Sequence, residues 1–134
     1  ELLEQIVSLR LIEAVAPVQL SIRLLIPAGS YILQLDGLDD VVGDFNADIL
    51  GHPWSHPDSR VDRLQQDIQT WVSRAEKEGL GRADTFEKIW RLAHETAGKP
   101  VPELDLQDAG SPVPRLSENW YCCAEPTCEQ LVSF

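Results

Sequence analysis

Residues 17–30 read Pro-Val-Gln-Leu-Ser-Ile-Arg-Leu-Leu-Ile-Pro-Ala-Gly-Ser, PVQLSIRLLIPAGS, and the fold class turns on what this stretch does. Val18, Leu20, Ile22 and Leu24 alternate with Gln19, Ser21, Arg23 and Leu25, the period-two pattern of a strand with one apolar and one mixed face. Pro17 bars helix through Ala16, and Pro27-Ala28-Gly29 ends the run. Ser30 is placed to cap a short helical turn over Tyr31 to Leu35. The pattern therefore predicts a β-strand over Val18–Ile26. A single strand cannot satisfy its own ladder groups, and the rest of the chain offers few partners for it. The strand either pairs across a homodimer or joins a sheet in another part of a longer protein, and the second is the preferred expectation.

Upstream, ELLEQIVSLRLIEAV places Leu2, Leu3, Ile6, Val7 and Leu9 at helical spacing, a helix over about 2–9. The chain opens on Glu1 inside that pattern and holds no Met, so it reads as a piece of a longer protein. Downstream, residues 36–58 form an acidic connector punctuated by Gly and Pro. Two amphipathic helices follow. Residues 59 to about 78 align Val61, Leu64, Ile68, Trp71, Val72 and Ala75, with Ser59 and Asp62 at capping-box spacing and Gly79 as the stop. Residues 84 to about 97 align Phe86, Ile89, Trp90, Ala93 and Ala97, capped by Asp84 and Glu87 and ended by Gly98-Lys99-Pro100. The link GLGRA predicts an antiparallel hairpin with Trp71 and Trp90 in its core. From Lys99 the chain turns Pro-rich, an extended arm. The expected fold is mostly α with one or few strands. Its segments are 1–40 (helix and strand), 41–100 (acidic connector and helical hairpin) and 101–134 (arm).

With 134 residues, 43% of them hydrophobic and 25% charged, the chain suits one modest domain. A formal charge of −11 argues against nucleic acid and anionic membranes as partners. No apolar run reaches the roughly 18 residues of a membrane span, and no signal-peptide pattern opens the chain. A cytoplasmic location is expected. Three cysteines, an odd count, leave no complete intramolecular pairing.

Four motifs bear on chemistry. DFNADILGHPWS, 44–55, begins like a calcium loop at Asp44, Asn46 and Asp48, but has Ile49 where Gly is required and Ser55 where Glu is required. A solvated turn is the better reading. HPWSHPD sets His52 four residues before His56, and a mixed Cys/His zinc site is chemically sensible there. The competing reading is a polar turn with Trp54 docked on the core. His94, near a helix C-terminus where a cation is mildly favoured, is assigned no chemistry. The last motif is WYCCAEPTC, 120–128, which holds every cysteine of the chain: Cys122, Cys123 and Cys128. Its C-C-x4-C spacing is neither that of a zinc ribbon nor a usual iron–sulfur pattern. On the residues alone, a redox pair, metal ligation and a bystander role all stand.

CCAEP, 122–126, together with PVQLSIRLLIPAGS, 17–30, resembles the radical SAM proteins named for a C-terminal CUAEP or CCAEP motif, and HPD at His56–Asp58 fits the same family. The resemblance spans essentially the whole chain. It implies a parent radical SAM Fe–S oxidoreductase with a partial (β/α) barrel, which binds a [4Fe–4S] cluster through C-x3-C-x2-C and cleaves S-adenosylmethionine. This sequence contains no C-x3-C-x2-C. The resemblance thus implies a C-terminal accessory region, not catalytically competent alone, whose helix 2–9 and strand 18–26 complete the barrel.

Some family members carry selenocysteine where Cys123 stands. That implies a reactive chalcogen at Cys123, a resolving partner in Cys122, and a third thiol or ligand in Cys128. Arg23 is expected to face the barrel interior as a cofactor contact. The implied partners are the remainder of the barrel and a small-molecule or peptide substrate. The alternative is a non-enzymatic helical binding module with a structural zinc held by Cys122, Cys123, Cys128 and His52 or His56.

Overall fold

Apolar residues recurring at three and four positions produce the two longest elements. In the computed structural model, which describes residues 1–38 and 40–111, helix α1 spans Leu2–Ser8, α2 spans Ser59–Glu78 and α3 spans Arg82–Thr96. The fold is mostly α, as the sequence predicts. Gly79 stops α2 in the left-handed region at φ +68°, and Leu80 N–H reaches back to Ala75 O at 2.9 Å. Both expected capping boxes are displaced. Asp58, one residue before Ser59, takes the Arg60 N–H at 3.0 Å. Helix α3 begins at Arg82, two residues earlier than read, because Thr85 Oγ bonds the Gly81 carbonyl at 2.8 Å and Asp84 sits within the first turn.

Contacts divide the described residues into two compact units. One joins Glu1–Ser21 to the described residues 63–111; the other holds Ile22–Asp62. The core of the first lies along the helical hairpin. Ile68, Val72 and Ile89 form one buried group, and Ile6, Ile12, Phe86, Trp90 and Ala109 another. Leu3 and Leu20 pack against both. Each fully buried aliphatic or aromatic side chain contributes about 1.5–3 kcal/mol. That docking is what holds α1, which at 7 residues is too short to persist alone. Its end is a Schellman turn: Arg10 at φ 57°, Leu11 N–H to Ile6 O at 2.9 Å and Arg10 N–H to Val7 O at 3.0 Å.

The strand expected over Val18–Ile26 does not form. Pro17–Leu20 is a 3-10 turn with proline at its start, closed by Ser21, whose N–H and hydroxyl both reach Val18 O at 3.0 and 2.9 Å. The physical reason is local. Val18 and Leu20 reach the hairpin core from a tight turn as well as they would from one face of a strand. Ile22 and Leu24, the other half of the alternation, remain 47% and 48% exposed. Beyond Ser21 the chain through Ile26 forms no strand, with a single bridge residue at Leu24, and leads into the expected Ser30-capped turn, Tyr31–Gln34. Two isolated antiparallel bridges, Val42↔Trp54 and Asn46↔Gly51, pair residues of this second unit. No helix among the described residues is long and apolar enough to cross a membrane.

The described start of the Pro-rich arm, residues 99–111, holds one 3-10 turn, Leu106–Asp108, and is tied to the first unit by three contacts. Trp90 Nε1 donates to Pro102 O at 3.0 Å, Glu13 N–H to Ala109 O at 3.1 Å, and Arg10 pairs with Asp108 at 2.9 Å. Gly110 then passes so close to Arg10 that a Cβ there would sit 2.0 Å from the Arg10 carbonyl oxygen, with φ at +86°. Only glycine permits that approach.

Candidate functional site

Arg23 organises the Ile22–Asp62 unit. Its guanidinium donates to Asp62 Oδ1 at 3.1 Å and to the Trp54 carbonyl, and lies over the Trp54 ring 4.3 Å from the centroid. Asp62 uses its second oxygen on the His56 N–H at 3.0 Å. Trp54 Nε1 in turn donates to Leu24 O at 2.8 Å, beside Arg23 itself. With side-chain exposures of 16% and 21%, the Arg23–Asp62 pair is shielded, so its charge-assisted bonds contribute about 1.5–3 kcal/mol. Arginine suits the place because a planar fork can stack on an indole while its N–H groups bond in the plane. The arrangement fixes the 52–56 turn against residues 23–26.

The two histidines of that turn are held in opposite tautomers. His52 Nδ1 lies 2.9 Å from Gly43 O, which only accepts, so Nδ1 carries the proton and Nε2 keeps a lone pair. Its backbone N–H bonds Ile26 O at 2.7 Å and its ring meets Phe45 edge-on at 5.6 Å. His56 Nδ1 accepts the Asp58 N–H at 3.0 Å, closer than its 3.2 Å contact to Asp58 O, which leaves the proton on Nε2. His52 is therefore arranged to ligate a metal through Nε2, whereas His56 as placed is not. Beside it, Arg60 grips the Asp58 carboxylate with Nε at 3.0 and 3.1 Å and a terminal nitrogen at 2.6 Å. These bonds, with the Arg60 backbone N–H, lower the Asp58 carboxyl to about 2 and raise Arg60.

The calcium-like stretch is a turn, as read. Asn46 Oδ1 accepts the Asp48 N–H at 2.8 Å, and Asn46 and Gly51 exchange backbone bonds at 2.8 and 3.2 Å. From Val42 to Asn46 the chain takes one residue more than from Gly51 to Trp54, so a bulge separates the two bridges. Gly51 packs tightly there, since a Cβ would fall 2.9 Å from the Leu25 Cδ1 tip, which would have to turn aside, and 3.0 Å from Ile26 O. Leu50 takes the left-handed conformation at φ 54° with 71% of its surface exposed, which costs about 1–2 kcal/mol.

Of the residues singled out by sequence, Arg23, His52 and His56 fall in this one unit, while Cys122, Cys123 and Cys128 lie outside the described residues. Among the described residues no group of three or more His, Cys, Asp or Glu is placed to hold a metal. A [4Fe–4S] cluster of the C-x3-C-x2-C kind does not fit this chain, whose only thiols are spaced C-C-x4-C. Among the described residues of the first unit lie open cavities. One of about 350 Å³ lies between α3 and the arm, lined by Glu87, Trp90, Arg91, Val101, Pro102 and Leu104. One of about 260 Å³ is lined by Leu3, Glu4, His94 and Lys99.

His94, read from sequence as a mild helix-end cation, is buried, bonded through Nδ1 to Trp90 O at 2.8 Å, with its ring tilted 47° to the Trp90 ring at a centroid distance of 4.2 Å. The Arg23–Trp54–Asp62 clamp was not legible as a constellation. The one signal for it is an arginine interrupting an apolar run. Comparison of the chain with protein-family models, curated proteins and solved structures finds no match.

Proposed function

We propose that the chain is the C-terminal accessory region of a radical SAM enzyme, and that it presents the vicinal thiols Cys122 and Cys123 to the chemistry of the parent barrel. The carrying observation is the CCAEP segment itself, two adjacent cysteines followed by Ala-Glu-Pro. The geometry around the arm supports the reading. The segment leading to the thiols is tied to α3 through Pro102 and to the exit of α1 through Ala109 and Asp108. Cys122 follows Ser111 by eleven residues, a reach of at most about 40 Å from that anchor.

In this role the pair closes one S–S bond as it releases two electrons and two protons to the substrate side, and reopens when they return. The substrate class and the barrel partner belong to this proposal. The cluster and S-adenosylmethionine are assigned to the parent barrel. Residues 18–26, which form no strand, have no part in it, because Val18 and Leu20 serve the hairpin core and Arg23 its clamp.

One observation favours a second reading: the His52 Nε2 lone pair, set by the bond from Nδ1–H to Gly43 O. A structural zinc held by the three cysteines and His52 would make the chain a binding module without chemistry. Thiol counting and metal analysis on the full chain separate the two. The redox reading expects three titratable thiols, one after mild oxidation, reversal by a dithiol, and no stoichiometric zinc. One zinc per chain with thiols that resist modification until a chelator is added would overturn it.

A further inference from the structure

Leu2 and Leu3 of α1, with Ala93 and Ala97 at the end of α3, give hydrocarbon to the lining of the 260 Å³ cavity, and His94 and Lys99 bring polar atoms to it. His94 is only 8% exposed, and its Nδ1 is committed to Trp90 O, which accepts, so that nitrogen carries the proton. Nε2 therefore keeps a lone pair. That atom has no hydrogen-bond partner among the described residues, and it is not sealed away from a water-sized probe. With Nδ1 turned to the helix and the ring leaning on Trp90 at 4.2 Å, the Nε2 edge is what His94 offers the cavity. Lys99 is set beside it by the turn that ends α3: Gly98 at φ +65°, Lys99 N–H to His94 O at 2.9 Å and Gly98 N–H to Glu95 O at 3.0 Å. The Lys99 ammonium has no partner among the described residues. The carboxylates of the lining are differently placed. Glu4 holds the chain's amine at 3.3 Å, and the Glu1 side chain stands fully in solvent.

We propose that this cavity binds a short aliphatic hydroxy acid, with its hydroxyl donating to His94 Nε2, its carboxylate on Lys99 and its hydrocarbon against the Leu and Ala side chains. The unengaged groups select that chemistry. A neutral ring nitrogen calls for a donor, and an unpaired ammonium calls for an anion. A ligand bearing its own ammonium is disfavoured, because Lys99 and the amine held by Glu4 are already cationic. A plain fatty acid leaves Nε2 without its donor. At about 260 Å³ the space falls below the ~300–1,000 Å³ of drug-sized sites, which limits the ligand to a few carbons. The larger cavity offers no such pair of groups, since Trp90 Nε1 is bonded to Pro102 O and Arg91 to Glu87. Nothing in the site involves Cys122 or Cys123, so it stands or falls apart from the thiol chemistry.

The test is a nuclear magnetic resonance titration of the nitrogen-15-labelled full chain with 2-hydroxyisocaproate. Saturation is expected in the millimolar range, by about 20 mM, with the His94 Nε2 resonance and the Ala93 and Ala97 amides moving. Isocaproate, which lacks the hydroxyl, and isoamyl alcohol, which lacks the carboxylate, should each bind about fivefold more weakly or worse. Lys99→Ala should cost the hydroxy acid about fivefold or more, and leave isoamyl alcohol within about twofold. Val101→Ser with Glu103→Gln, at the larger cavity, should change every affinity by less than about twofold. Lys99, Val101 and Glu103 are exposed, and far-ultraviolet circular dichroism verifies that each variant keeps its helix content. Equal binding of isocaproate overturns the proposal, since His94 then takes no part. Leucine binding as tightly as the hydroxy acid also overturns it, by making an ammonium the donor. So do an unchanged affinity in Lys99→Ala, shifts confined to Val101 and Leu104, or no saturation by that concentration.

Discussion

Replacing Gly110 by alanine tests whether the arm is fixed where the thiol-bearing segment begins. An alanine at φ +86° costs about 1–2 kcal/mol from the backbone alone. Its Cβ would stand 2.0 Å from the Arg10 carbonyl oxygen, a backbone atom in a Schellman turn that cannot swing aside like a side-chain tip. Relief requires residues 109–110 to lift, which breaks the Glu13–Ala109 bond, worth about 1 kcal/mol, and loosens the Arg10–Asp108 pair. The expected loss is about 3 kcal/mol, or about 10 °C in the melting temperature of a domain this size. Gly98→Ala is the matched control, since Gly98 has φ +65° and nothing within 4 Å of the added Cβ. It carries the backbone cost without the collision, so about 1–2 kcal/mol should separate the variants in urea unfolding followed by circular dichroism. If Gly110→Ala costs no more than Gly98→Ala, the arm is not held against Arg10 and the anchoring argument fails.

Other expectations follow from the second unit. Asp62→Asn removes the charge from the bond to Arg23 and should destabilise by about 1.5–3 kcal/mol, while Trp54→Phe, which keeps a ring under Arg23 but loses the bond to Leu24 O, should cost about 1 kcal/mol. Both are read from denaturant midpoints. Leu50→Asn should stabilise by about 1 kcal/mol, because asparagine tolerates the left-handed backbone that Leu50 occupies at φ 54°; a lower midpoint would contradict that assignment. The Asp58 carboxyl should titrate near 2 instead of 3.8, and Arg60→Gln should return it toward 3.8 in a carboxyl-carbon nuclear magnetic resonance titration. Because its folded value is depressed, the stabilisation is present above the ordinary carboxylate range and is lost as pH falls from about 4 through 2. Salt should weaken it, since the pair is exposed to solvent.

The helical hairpin was legible because its information is local. Ile68, Val72, Phe86, Ile89 and Trp90 recur at the helical period, and Gly79 and Gly98 take the positive φ at which a helix stops. The stretch 17–30 was misread because alternation is ambiguous over so short a run. Val18 and Leu20 satisfy a strand face and a 3-10 turn against a core equally well, and only tertiary context decides. The Arg23 clamp stayed hidden for a different reason. Its partners lie 31 and 39 residues away, and no spacing rule relates an arginine to a carbonyl at that distance. The opposite tautomers of His52 and His56 were equally invisible, being set by Gly43 O and by the Asp58 N–H. The adjacency of Cys122 and Cys123 is a fact of sequence alone, and both lie outside the described residues.

The account rests on Cys122 and Cys123 acting together, and mass spectrometry of the intact chain tests that directly. After mild diamide oxidation and alkylation, the account predicts a chain 2 Da lighter before labelling, with one alkylated thiol at Cys128 and full reversal by a dithiol reductant. A chain that keeps three alkylatable thiols after oxidation, or that holds one zinc per molecule and blocks alkylation until chelated, would contradict it.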